Sequence, residues 1–156
     1  MNFKIISIVL CVFLLNSHLS HSQSNDIYKQ AKNSRDFTGK VVLVTGSSSG
    51  IGEGIAKLFS VLGANVVVTG RKEDQVKRVA QEVQELSPKK LKPLAVVADV
   101  TKSDDLNNLM NQTIKTFGKL DVLVNNAGMG MFVSVKDKNL MKVFDNVLRI
   151  NLRAYV

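Results

Sequence analysis

The chain has 156 residues, with 21 lysines and arginines against 13 aspartates and glutamates, for a net charge of +8. It is 45% hydrophobic and 22% charged, with 10 glycines, 2 prolines, one cysteine and no tryptophan. That balance suits one globular domain and excludes a collagen, a disordered tail and a disulfide-built miniprotein, and no apolar run approaches the ~20 residues of a membrane-spanning helix.

The first four residues carry one positive charge, residues 5–15 are apolar and residues 16–25 are polar. With the small-x-small triplet Ser20-His21-Ser22, residues 1–22 read as a secretory signal peptide cleaved after Ser22. The expected destination is the endoplasmic reticulum lumen or the exterior, with an uncleaved leader anchored in the reticulum membrane as the alternative. Cys11 lies inside the leader, so no disulfide framework or cysteine-held metal is expected in the remainder. Residues 23–39 are polar and aperiodic and read as a linker.

From Lys40 onward short β-branched runs alternate with helix-period segments. Residues 41–45, 65–69, 94–98 and 121–125 have the continuous apolar character of strands buried on both faces of a parallel sheet. After the first run, Ile51, Ile55, Leu58, Phe59 and Leu62 recur on one helical face, and Gly63 closes the segment. Val76, Val79, Ala80, Val83 and Leu86 repeat the pattern until Pro88 stops it. A third stripe holds Leu106, Leu109, Met110, Ile114 and Phe117, with Ser103 as the expected N-cap and Gly118 beyond the end. The fourth holds Leu140, Phe144, Val147, Leu148 and Asn151. Four βα units in succession predict an α/β fold, a doubly wound parallel sheet with its first four strands in the order 3-2-1-4. The edge at residues 122–124 would then lack its next neighbour, a position that invites association.

The segment carrying most chemistry is Thr45-Gly46-Ser47-Ser48-Ser49-Gly50-Ile51-Gly52, between the first strand and first helix. Glycines permit a tight turn and a close backbone approach, and a helix N-terminus adds partial positive charge, which together suit a pyrophosphate. The spacing is neither Gly-x-Gly-x-x-Gly nor a P-loop. Serine hydroxyls such as those of Ser48 and Ser49 can reach phosphate or ribose oxygens.

This turn, followed by Asp99-Val100 and by Asn125-Asn126-Ala127-Gly128, resembles the short-chain dehydrogenase/reductase family. The resemblance implies a Rossmann domain over residues 40–156 that binds a nicotinamide dinucleotide and transfers hydride to or from a small carbonyl or alcohol. By position, Gly46, Ser49, Gly50, Ile51 and Gly52 would cradle the dinucleotide, Asp99 and Val100 would meet the adenine, and Asn126, Ala127 and Gly128 would face the ribose or nicotinamide. Each has a plainer reading, Asp99 as a strand-end cap and residues 125–128 as a turn. The second strand ends in Thr69-Gly70-Arg71 without a carboxylate for ribose hydroxyls. The guanidinium of Arg71 matches a 2′-phosphate, so NADP is expected, with NAD possible.

The family's proton donor is a tyrosine helped by a lysine four residues on, with a serine and a supporting asparagine. The only Tyr-x-x-x-Lys pairs Tyr28 with Lys32, before the first strand and on the wrong side of the cofactor turn. Asn151 matches the supporting asparagine; the serine, tyrosine and lysine have no counterpart. The expectation is therefore an incomplete domain, truncated after its fourth βα unit. The complete parent is expected to be an active homo-oligomer, and this chain inactive alone. The rival reading is a non-catalytic nucleotide-binding or secreted interaction module. Nucleic acid is not an expected partner, because the lysines are scattered and no aromatic stacks near the one small cluster at Lys89, Lys90 and Lys92.

Overall fold

Valine-rich runs pair side by side as parallel strands, and the segments between them cross over as helices. The structure, a computed structural model, describes residues 36–153 and the backbone of residues 4–6. The strands are β1 (Lys4–Ile6), β2 (Val41–Val44), β3 (Asn65–Gly70), β4 (Leu94–Val97) and β5 (Val122–Val124). The helices are α1 (Gly50–Val61), α2 (Glu73–Leu86), α3 (Ser103–Phe117) and α4 (Leu140–Asn151). All strand pairs are parallel, in the order β1-β5-β2-β3-β4, with Val42 opposite Val66 on one side and Val122 on the other. The four expected strands thus stand in the expected order, in a Rossmann-like doubly wound sheet.

Because side chains alternate across a strand, the sheet builds two cores. Val42, Val44, Val66 and Val68 face α1 and α2, where they meet Ala56, Val76, Val79 and Val83. Val41, Leu43 and Val67 face the opposite way and cluster with Val96 of β4 and Leu109 of α3. Each fully buried valine or leucine contributes roughly 1.5–3 kcal/mol of burial energy, so the central strands anchor everything set at their ends.

Four expectations need correcting. The edge of β5 is not bare, because Lys4–Ile6 pairs along it with Lys4 opposite Val122 and Ile6 opposite Val124. That pairing satisfies the backbone groups of an otherwise open edge. Residues 36–39 of the expected linker are docked: the Phe37 N–H donates to the Leu62 carbonyl at 2.9 Å, and its ring meets Phe59 edge-on at 5.0 Å. Ser103 is the first residue of α3 rather than its cap; Lys102 holds the cap position without a side-chain bond. Ile51, Met110, Ile114 and Phe144 are exposed rather than packed, and α4 has no buried residue. The expected cleavage point at Ser22, Cys11, and the Tyr28–Lys32 pair lie outside the described residues.

Candidate functional site

The turn after β2 is fastened on both sides before it reaches α1. Thr45 Oγ1 accepts the backbone N–H groups of Asn126 and Ala127, each at 3.0 Å, and lies 3.3 Å from the Val124 carbonyl, to which it donates. The Asn126 side-chain amide returns the grip, donating to the Thr45 carbonyl at 2.9 Å and the Gly46 carbonyl at 3.3 Å. On the other side the Ser47 N–H donates to the Thr69 carbonyl, and the Thr69 N–H donates to Ser47 Oγ, both at 2.9 Å. The turn is therefore strung between the ends of β5 and β3.

That fastening explains two glycines without invoking a ligand. Gly46 has φ +65°, and a Cβ there would sit 2.9 Å from the Ala127 Cα; one on Gly52 would collide with the Asn126 amide and the Gly46 carbonyl. A third close approach joins Gly70 to Ser48, whose hydroxyl occupies the space a Gly70 Cβ would need.

What a ligand would use is the start of α1. Ser49 is its N-cap, in extended conformation, yet makes no side-chain capping bond. The first N–H groups of a helix have no intrahelical acceptor, and here no cap hydroxyl takes their place. They open on a cleft of about 310 Å³ at the carboxyl ends of β2, β3, β4 and β5. This size lies at the small end of ligand pockets, and its location is where doubly wound sheets take their ligands.

Of the residues expected around a cofactor, Gly46, Ser48, Ser49, Ile51 and Gly52 line this cleft from the turn. Arg71 lines it from the end of β3, Asp99 and Val100 from the segment after β4, and Asn126, Ala127 and Gly128 from the segment after β5. Gly50 stands outside the wall; its φ of +58° and open surroundings make it a requirement of backbone conformation. Gly70, Ala98, Met129 and Ile150 line the cleft without having been expected. Gly70 and Ala98 carry no functional group to flag them, whereas Ile150 adjoins Asn151 in sequence.

Asp99 accepts the Thr101 N–H at 2.9 Å and the Thr101 hydroxyl at 2.8 Å. The backbone bond from Thr101 does most to hold its carboxyl below the ordinary range, against burial, with smaller help from the Thr101 hydroxyl, Arg71 and Lys102. It is an ionised acceptor on the cleft wall. Asn151 stands behind the wall: its Oδ1 accepts the Met129 N–H at 2.8 Å and its Nδ2 donates to the Met129 carbonyl at 2.9 Å. This amide-to-backbone pair ties α4 to the segment following Gly128.

The cleft wall thus brings together the helix-start backbone donors, the Arg71 cation and the Asp99 acceptor. The short chain dehydrogenase family matches over residues 40–156. An 11-beta-hydroxysteroid dehydrogenase A from Sesamum indicum is 37% identical over 79% of this chain and 35% of its own length. Its counterpart 1A from Arabidopsis thaliana is 43% identical over 67% of this chain and 30% of its own length. Among solved structures, a 3-ketoacyl-(acyl-carrier-protein) reductase from Brucella melitensis complexed with NADH superposes with a TM-score of 0.68 and 38% identity, over 77% of this chain and 47% of that one. A hydroxysteroid dehydrogenase from Escherichia coli superposes with a TM-score of 0.70 and 32% identity, over 77% of this chain and 49% of that one.

Proposed function

The chain belongs to the short-chain dehydrogenase family, and from that premise we propose that it is the cofactor-binding part of an NADP-dependent oxidoreductase acting on a small carbonyl or alcohol. The observation that carries the reading is the uncapped N-terminus of α1 opening on a cleft that Arg71 lines from the close of β3, with no carboxylate there. When bound, the nicotinamide supplies or accepts the hydride. The chain's own part is to bind and orient. The α1 N–H groups meet phosphate oxygens, Arg71 offers a planar fork to a 2′-phosphate, and Asp99 accepts from the adenine side. The Asn151 clamp on Met129 keeps the wall beyond Gly128 in register with α4.

The chain spans 35% of the Sesamum dehydrogenase's length and 47% of the Brucella reductase's, and in this reading its own residues bind and orient the cofactor. The apolar leader supports entry into the secretory pathway. NAD is the second reading, favoured by the NADH seen with the Brucella reductase. Calorimetric titration of the full 156-residue chain with NADPH and NADH decides between them. NADPH should bind roughly tenfold tighter or better, as expected for one charge-assisted fork on a phosphate. Arg71→Asp should reverse that order. Equal binding of the two cofactors, or an unchanged order in the variant, would remove Arg71 from the cofactor site.

A further inference from the structure

Arg78 does not line the cleft, yet its guanidinium reaches the backbone that does. We infer that Arg78 is a positioning residue: it holds the Ser48–Ser49 peptide so that the Ser49 N–H faces the cleft, and so favours a 2′-phosphorylated cofactor. The inference rests on the cofactor reading above and adds a residue outside the site that sets its specificity.

The geometry begins with a fork. Nη1 lies 3.1 Å from Glu53 Oε1 and Nη2 lies 2.8 Å from Glu53 Oε2, so α2 grips the first turn of α1 in bidentate fashion. Nη1 also donates to Glu82 Oε1 at 2.9 Å. Lys57 closes the circuit, with its Nζ 2.5 Å from Glu53 Oε1 and 2.6 Å from Glu82 Oε2. Two acids and two bases thus alternate in a ring that bridges the two helices. An isolated exposed pair contributes little, but a ring with a bidentate member fixes its side chains together. The fork on Glu53 is also the leading reason that its carboxyl lies far below the ordinary range.

From this anchored position Nη2 reaches the Ser48 carbonyl at 3.4 Å. The next carbonyl, that of Ser49, accepts the Glu53 N–H at 3.3 Å. Both carbonyls are therefore drawn toward the helix and its ion ring. In a trans peptide the carbonyl and the following N–H point in opposite directions, and the described residues contain no cis bond. Holding the Ser48 carbonyl outward turns the Ser49 N–H inward, on the side where Ser48 and Ser49 line the cleft. The Ser48 hydroxyl packs against Gly70, the residue before Arg71, so this peptide stands at the β3 end of the cleft. An N–H aimed there adds a second donor to the one Arg71 offers a 2′-phosphate.

The test measures NADPH and NADH affinities, which differ by that one phosphate, on the full chain carrying Arg78→Ala, Arg78→Lys, Arg71→Ala or Lys77→Ala. Arg78→Ala should weaken NADPH about threefold to tenfold, the range of one lost hydrogen bond, and leave NADH within twofold. Arg78→Lys keeps a charge for Glu53 but loses the fork, and should fall between wild type and Arg78→Ala. Lys77→Ala, which removes an exposed pair with Glu73 on the same helix, should change neither affinity. An unchanged NADPH-to-NADH ratio in Arg78→Ala overturns the inference while leaving the cofactor reading intact, provided Arg71→Ala still lowers it. Equal weakening of both cofactors also overturns it, since a merely structural role would do that. If Arg78→Ala fails to fold, the ratio in Arg78→Lys decides alone. A wild-type chain that binds neither cofactor ends both readings.

Discussion

Glu53 takes hydrogen bonds from Arg78 and Lys57, and these hold its carboxyl down to about 2 from an ordinary 4.5, with the Arg78 bond the largest cause and burial opposing. The unfolded chain would then bind this proton more tightly than the folded one. The stabilisation is complete above pH ~4.5 and lost as pH falls toward 2. Discounted for the half-exposed Arg78 partner, it should come to roughly 1–3 kcal/mol. Urea unfolding at stepped pH should show that decline, and Glu53→Gln should flatten it; a decline of equal size in the variant would assign the effect to other carboxylates. Residues of the glycine-rich turn were legible in sequence because their pattern is local, eight positions in a row between a strand and a helix. Nothing in the sequence pairs Glu53 with Arg78, which sits 25 positions later on another helix. Asn126 is an intermediate case. Its motif was readable, but its employment as a clasp on Thr45 and Gly46 needed coordinates.

Helices and strands were legible wherever apolar spacing followed the packing, as in α2, whose Val76, Val79, Ala80 and Val83 are all buried. In α3 the spacing misleads. Its buried face includes Leu109 and Thr113, while Met110 and Ile114 look outward. Thr113 belongs to the core because its hydroxyl donates to the Leu109 carbonyl at 2.7 Å, which satisfies the polar group inside the helix itself. A hydropathy pattern cannot register that. The glycines at element boundaries also differ in kind. Gly118 ends α3 at φ +75° with open space around it, so Gly118→Ala should lower stability by only about 1 kcal/mol of backbone strain. Gly52→Ala drives a methyl into Asn126 and Gly46, and should cost more, about 2–4 kcal/mol, because the turn must shift. Thermal melting of the two variants tests the order; equal losses would mean that the turn yields easily.

At the scale of the molecule, the alternation of runs and stripes was enough to order β5, β2, β3 and β4. The strand at Lys4–Ile6 was not anticipated, because three residues within an apolar leader carry no strand period of their own. Its pairing along β5 carries a prediction. A chain beginning at Gln23 lacks Lys4–Ile6, leaves the edge at Val122–Val124 bare, and should self-associate more than the 156-residue chain in light scattering at equal concentration. Identical scattering would show that this strand does not protect the edge. The clasp of Thr45 on Asn126 and Ala127 has another consequence. Those partners lie about 80 positions apart in sequence, so the loop that joins them is among the most expensive to close during folding. Nearest-neighbour crossovers can assemble β2, α1 and β3 first, but the cleft has only one wall until the distant strand arrives. The complete cleft is thus a property of the finished topology.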